Sequence, residues 1–414
     1  MPAGALRITR QSLVLPRLLS KRIAILGSTG SIGTAALEVI EHLGPPYQVA
    51  SLSAHRQTTR LVDQVRHHRP TAVALTAEHP APAALEQLTA LNVAIYRGPT
   101  GLEEMVRRDD VDVVLAAIVG AAGLPAVLAA VQAGKTLALA NKEALVVAGA
   151  LLLPQAKASG APVLPVDSEH SAVFQAMQCG RLGEVRRVIL TASGGPFRNW
   201  TRKELESATV QQALSHPTWR MGHKITIDSA TMFNKALEII EACWLFDLPP
   251  EKVEVVIHPE SIIHSMVEFV DGSVIAQLSP PDMKTPIQYA LTYPQRLTGL
   301  GKRLNLTHPL SLNFQPPDPA RFPALRLAYE VVRTGGTMGA VFNAANEAAV
   351  AAFLAGKITL LEISRLVEVT MSQHRTTANP GLSDLLAADA WARAVVETQL
   401  GVAVHPVRPA ATLS

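Results

Sequence analysis

Cysteine is nearly absent. Only Cys179 and Cys243 occur among 414 residues. Both lie in apolar helical patterns, so a disulfide framework is excluded and two buried thiols in a reducing, cytoplasmic setting are predicted. Aromatic residues make up 4% of the chain, too few to stack along a single-stranded nucleic acid. A formal net charge of +3 is too small for a duplex-binding face. Small anionic partners stay open. No hydrophobic run is long enough to read as a membrane span: the charge-free stretch 113–134 is divided by Gly120, Gly123 and Pro125 and closed by Gly134. That punctuation predicts a strand over 113–119 and a helix over 124–132. Residues 1–20 carry Arg7, Arg10 and Arg17 and no acid but lack the long apolar centre of a secretory signal, so they read as a disordered extension.

What is present describes an α/β protein. At 48% hydrophobic and 17% charged, the chain can bury substantial cores and should divide into two or three domains. Lys21-Arg-Ile-Ala-Ile-Leu26 reads as a strand running into Gly27-Ser-Thr-Gly-Ser-Ile-Gly33 and then a helical pattern over 35–43. Glycines there permit a tight turn and let backbone N–H groups meet a pyrophosphate at the helix N-terminus. A second strand, 48–52, ends in Ser53-Ala-His55-Arg56-Gln57. A carboxylate is missing where an NAD ribose would need one, and Arg56 with Arg60 suits a 2′-phosphate, which favours NADP. Strands over 72–75, 112–119 and 136–140 continue a parallel sheet, and the last delivers Asn141-Lys142-Glu143 to the ligand-binding edge, with Asn141 as a helix cap.

Three carboxylates carry the chemistry. Asp167 and Glu169 follow the apolar run 163–166, which reads as a buried strand, and Glu238 shares a helical face with Asn234, spaced i, i+4, with Lys235 beside them and Ser229 as the expected N-cap. Hard divalent cations take such oxygens. Taken singly, each of these residues is better explained by a cap, a surface carboxylate or a solvated helix face. Further on, 253–258 and 272–278 read as strands of a mixed sheet, 304–323 as a Pro-rich linker, and 344–354, 360–371 and 383–400 as helices of a small bundle. The expected domains are 21–165 for the cofactor, 166–303 for catalysis and the mixed sheet, and 324–405 for the bundle.

Several motifs lie in the order and approximate spacing of one family. They are Gly27-Ser-Thr-Gly-Ser-Ile-Gly33, Ala140-Asn-Lys-Glu143, Pro165-Val-Asp-Ser-Glu-His170, Ser193-Gly-Gly-Pro-Phe197, His216-Pro217, Met221-Gly222 and Asp228-Ser-Ala-Thr-Met-Phe-Asn-Lys-Ala-Leu-Glu238. With Ile257-His-Pro-Glu-Ser-Ile-Ile-His264 and Asn343-Ala-Ala-Asn-Glu347, the chain resembles the 1-deoxy-D-xylulose 5-phosphate reductoisomerases over about residues 21–402.

That resemblance implies a Rossmann-like N-terminal domain, a central catalytic α/β domain and a C-terminal helical bundle, assembled as a homodimer through the mixed sheet. It implies NADPH and Mg²⁺, Mn²⁺ or Co²⁺ as cofactors. The implied reaction rearranges 1-deoxy-D-xylulose 5-phosphate by retro-aldol and aldol steps and reduces the product to 2-C-methyl-D-erythritol 4-phosphate, on the non-mevalonate route to isoprenoid precursors. By the same resemblance Asp167, Glu169 and Glu238 hold the metal, and Lys142 joins Glu169 and Glu238 in catalysis. Ser193, Ser229, Asn234 and Lys235 hold phosphate, Ser168, Lys142, His170 and His264 surround the rest of the substrate, and His216 and Trp219 belong to a lid. Thr29, Gly30, Ser31, Ile32, His55, Arg56, Gln57, Asn141, Glu143 and Gly222 contact NADPH. Thr218 and Arg220 replace the Asn and Ser of many relatives, and His55-Arg56-Gln57 replaces the commoner Gly-Lys-Asn. Two other readings fit the residues less well: a fold-retaining NADPH-binding regulator, and a dehydrogenase of another phosphorylated hydroxyketone.

Overall fold

The computed structural model describes residues 20–219 and 221–402. The expected extension 1–20, all but Ser20, and residues 403–405 of the expected bundle lie outside the described residues, as does Arg220.

Seven strands build the first sheet: β1 (Lys21–Leu26), β2 (Tyr47–Ala54), β3 (Ala72–Leu75), β4 (Ala94–Arg97), β5 (Val113–Ala116), β6 (Thr136–Leu139) and β7 (Val163–Pro165). Their order is β4-β3-β2-β1-β5-β6-β7, with every pairing parallel. Strand order reverses between β1 and β5, which opens a crevice at their carboxyl ends. The glycine turn after β1 enters that crevice. A Cβ on Gly33 would stand 2.4 Å from the Gly27 carbonyl oxygen, so the turn closes only because the third residue of helix Ser31–Leu43 is glycine. β5 is shorter than the predicted 113–119 because Gly120 takes φ 74° and the chain leaves the sheet before it.

A second sheet has the order β11-β10-β8-β9: β8 (Val185–Ala192), β9 (Val253–Ile257), β10 (Ile263–Phe269) and β11 (Val274–Leu278). β8 and β9 are parallel while β10 is antiparallel to both neighbours, so the predicted mixed sheet is present. β10 escapes the sequence reading because its polar residues His264, Ser265 and Glu268 are buried and blur the period-2 pattern. Residues 304–323 run as irregular chain, with Gln315 bridging Ile257.

The C-terminal helices are Ala324–Thr334, Met338–Leu354, Leu360–Gln373 and Leu382–Val402. They share one continuous core with the helices Glu143–Ser159 and Phe233–Leu245. A Cβ on Gly339 would stand 2.0 Å from the Val146 carbonyl oxygen, so only glycine lets helix Met338–Leu354 lie this close to helix Glu143–Ser159. Two expectations are corrected here. Cys179 is exposed, because its helix ends at Met177, while Cys243 is buried as expected. Ser229 is not the cap of helix Phe233–Leu245 but sits near the end of helix His223–Ala230. The cap position belongs to Met232, whose φ of 63° turns the chain between the two helices.

Candidate active site

Five segments far apart in sequence meet around a cavity of about 590 Å³. Asn141, Lys142 and Glu143 reach it from the end of β6, and Asp167, Ser168 and Glu169 from the end of β7. Ser193 comes from the end of β8, Ser229, Asn234, Lys235 and Glu238 from the paired helices, and His264 from β10. The Asn141 side chain accepts from the Ala144 N–H at 3.0 Å and donates to the Gly120 carbonyl at 3.1 Å, so it caps one helix and braces the loop after β5.

One oxygen each from Asp167, Glu169 and Glu238 falls within 4.8 Å of the others. Two buried lysines lie among them. Lys142 Nζ is 2.5 Å from Asp167, 3.0 Å from Glu238 and 2.8 Å from the Asn234 side-chain oxygen. Lys235 Nζ is 3.0 Å from Glu169 and contacts Glu238. Asn234 Nδ2 donates to Glu238 at 2.6 Å, so the i, i+4 face anticipated from sequence forms. Burial and the adjacent Glu169 push Glu238 up to about 7 despite both lysines. Burial would raise Asp167 too, but Lys142 outweighs it and holds that carboxyl well below the usual range. The donor set fits a hard divalent cation. Three carboxyl groups crowd together, and their mutual repulsion, seen in the raised Glu238, is what an oxygen-preferring cation would offset.

Beside the carboxylates lies an anion-sized group of donors. His216 Nε2 stands 3.1 Å from both Ser193 Oγ and Ser229 Oγ, and its Nδ1 accepts from the backbone N–H groups of Thr218 and Trp219 at 3.1 and 2.9 Å. Two donors on Nδ1 place the ring proton on Nε2. Segment 216–219 is therefore tied to the serines through one neutral imidazole, whose pKa burial lowers. Trp219 lines the cavity half-buried, its ring 6.3 Å from that of His264.

Among the residues predicted around the substrate, His170 does not line the cavity. It is fully buried behind the carboxylates, with Nε2 3.0 Å from the Glu238 carbonyl and Nδ1 3.2 Å from Glu241. Burial lowers its pKa to about 4 and raises Glu241 well above the carboxylate range. It joins the helices Ser168–Met177 and Phe233–Leu245 rather than facing the cavity.

On the cofactor side, Ser31, Ile32, Asn141, Glu143 and Gly222 line the cavity, whereas Thr29, Gly30, His55, Arg56 and Gln57 lie beyond its lining. The first turn of helix Ser31–Leu43 has no side-chain cap, which leaves its N–H groups for a pyrophosphate. Arg60 donates to the Thr29 carbonyl at 3.0 Å and so braces the glycine turn.

Three family profiles match nearly the whole described chain: 1-deoxy-D-xylulose 5-phosphate reductoisomerase over 23–149, the C-terminal domain of that enzyme over 163–246, and the DXP reductoisomerase C-terminal domain over 278–395. The enzyme of that name from Symbiobacterium thermophilum is 50% identical over 386 residues, covering 92% of this chain and 99% of its own. The one from Rhodopirellula baltica is 48% identical over 425 residues, covering 90% and 93%.

The chain belongs to the 1-deoxy-D-xylulose 5-phosphate reductoisomerase family.

Solved reductoisomerases share the fold. One from Zymomonas mobilis in complex with NADPH superposes with a TM-score of 0.86 at 43% identity, covering 92% of this chain and 99% of that one. Another, in complex with NADPH, fosmidomycin and magnesium, gives 0.86 at 40% identity, covering 92% and 98%. Lys224 and Asp228, which line the cavity, and the buried Glu241 receive no role from sequence alone, although Asp228 opens one of the quoted motifs. Lys224 and Asp228 are spaced i, i+4, a local signal too common to single them out.

Proposed function

We propose that this chain converts 1-deoxy-D-xylulose 5-phosphate to 2-C-methyl-D-erythritol 4-phosphate, using NADPH and a divalent metal. The observation that carries the reading is the single cavity in which Asp167, Glu169 and Glu238 adjoin the donors Ser193, Ser229, Asn234 and Lys235, with Ser31, Ile32 and Asn141 also on its wall. One site can thus serve both rearrangement and reduction.

Asp167, Glu169 and Glu238 would hold Mg²⁺, Mn²⁺ or Co²⁺, which when bound supplies Lewis-acid polarisation of the substrate's carbonyl oxygen. Lys142 places an ammonium beside those carboxylates, where it stabilises negative charge developing on the substrate as the carbon–carbon bond breaks. Ser193, Ser229, Asn234 and Lys235 bind the phosphate, and that remote binding energy keeps the fragments in register between cleavage and recombination. Ser168 and His264 adjoin the substrate's hydroxyl groups. His216 and Trp219 close over the site and exclude water. The glycine turn, with Thr29, Gly30, Ser31 and Ile32, donates its backbone N–H groups to the cofactor phosphates, and Arg56 supplies charge for the 2′-phosphate. His170 supports the metal carboxylates from behind.

Purified protein given NADPH, 1-deoxy-D-xylulose 5-phosphate and Mn²⁺ should oxidise NADPH at 340 nm and yield methylerythritol phosphate, and chelator should stop it. A folded, NADPH-binding protein that leaves the cofactor reduced with metal present would contradict the proposal. Removing the lid's pin has a narrower effect. His216→Ala is expected to raise the substrate KM about tenfold or more, through loss of its bonds to Ser193 and Ser229, while NADPH affinity stays within about twofold. An unchanged KM would show that this histidine does not hold the lid.

We also place the chain in the cytoplasm as a homodimer. Two unpaired cysteines suit a reducing compartment, and no helix among the described residues is long and apolar enough to cross a membrane. The edge strand β11 leaves Val274 49% and Leu278 37% exposed, an apolar edge that a second copy would cover.

A further inference from the structure

The Asn343-Ala-Ala-Asn-Glu347 motif lies in the C-terminal bundle and reaches none of the groups assigned to substrate or metal. Asn343, Asn346 and Glu347 are spaced i, i+3, i+4 on helix Met338–Leu354 and so share one face. Asn346 Nδ2 donates to Asp228 Oδ1 at 2.8 Å, both groups being almost fully buried. The other oxygen of Asp228 lies 2.9 Å from Lys224 Nζ, and the same ammonium lies 2.9 Å from Glu143 Oε1. Glu347 adds negative charge near Lys224 and is itself held by Asn343 at 3.0 Å and Arg393 at 2.7 Å. A polar chain thus runs from the bundle, through Asp228 and Lys224, to the carboxylate that follows Asn141 and Lys142.

Lys224 lines the cavity and stands in the first turn of helix His223–Ala230, whose N-cap is Gly222. Its ammonium is poised between Glu143, at the end of β6, and Asp228, on its own helix. The lysine sets the side chain of Glu143 by an ion pair, while the Gly222 carbonyl is held by Thr226, whose N–H and hydroxyl both donate to it.

We propose that Lys224 is a positioning residue for the cofactor, holding the Glu143 side chain in place, and that Asn346 of the bundle orients it through Asp228. The inference rests on the reading that Glu143 meets NADPH. Nothing in it requires Lys224 to touch the reacting atoms.

A double-mutant cycle on NADPH binding, read by the cofactor's fluorescence without substrate, tests it. Lys224→Met should weaken NADPH about tenfold in the wild-type background and less than about twofold in a Glu143→Gln background, the coupling expected when one group acts through another. Lys224→Arg should restore most of the affinity, since it returns the charge. If Lys224→Met does not fold, as judged by its melting transition, Lys224→Gln replaces it in the same cycle. Equal weakening in both backgrounds, or none in the first, would overturn the proposal and leave Lys224 a purely structural ion pair. The cycle needs no substrate, so the two readings fail separately: absence of turnover on 1-deoxy-D-xylulose 5-phosphate counts against the proposed function, and an additive cycle counts against Lys224.

Discussion

Glu238→Gln is expected to abolish turnover while NADPH still binds. Glu238 is fully buried and accepts from Lys142 at 3.0 Å and Asn234 at 2.6 Å, and it also touches Lys235. Glutamine has nearly the same volume, so packing on helix Phe233–Leu245 is retained. What changes is charge and donor pattern: one of three carboxylates becomes a neutral amide whose NH₂ cannot ligate a cation. Losing several kcal/mol of metal-derived stabilisation, at about 1.4 kcal/mol per tenfold, lowers kcat/KM by about a thousandfold or more. NADPH affinity, measured by fluorescence titration, should stay within about twofold, because the glycine turn lies in another part of the crevice. Loss of NADPH binding in this variant would contradict the division of the cavity into metal and cofactor halves. Retained turnover would remove Glu238 from the metal set.

Replacing Lys142 by methionine should separate two roles of that side chain. Its ammonium is buried and lies 2.5 Å from Asp167 and 3.0 Å from Glu238. Burial disfavours its charge, but Asp167 and Glu238 more than offset this and raise its pKa well above the ordinary value. Methionine keeps the length of the stem and removes the cation. Breaking a buried pair from one side costs about 3–5 kcal/mol, since the partners stay behind as unpaired charges. In chelator the variant should therefore melt several degrees, roughly, below the parent. Added Mn²⁺ should recover most of that loss, because a divalent cation neutralises the same carboxylates and binds only the folded chain. Activity should not recover: kcat/KM is expected to stay down by about 10²–10³-fold, as for other lost oxyanion donors. A melting deficit that persists in saturating Mn²⁺ would mark Lys142 as a structural residue, and near-normal turnover would remove it from catalysis.

Much of the site is legible in the sequence because its chemistry is carried by short segments. The glycine turn, Asn141-Lys142-Glu143, the Asp167–Glu169 pair and the Asn234–Glu238 face each lie within a dozen residues. Their local geometry follows from strand ends and helical periodicity alone. The errors have the opposite character. Cys179 was expected to be buried, yet one helix ended two residues before it. Ser229 has the side chain of a cap, but the cap position fell to Met232 in a left-handed conformation. His170 sits beside Glu169 in sequence, and only the packing of two helices turned it toward Glu241 and away from the cavity.

The sequence by itself therefore determined the α/β class, the family resemblance and the identity of the charged and hydroxyl groups, because those depend on residue type and near-neighbour spacing. Tertiary structure alone decided which lysine meets which carboxylate, that His216 joins two serines 13 and 23 residues from it, and that Asn346 reaches Asp228 across 118 residues of chain. Those contacts arise where the sheets and the C-terminal bundle share a core. Burial there removes the water that would otherwise screen each charge, so the partner supplied by a distant segment, rather than the residue itself, sets its protonation and its role.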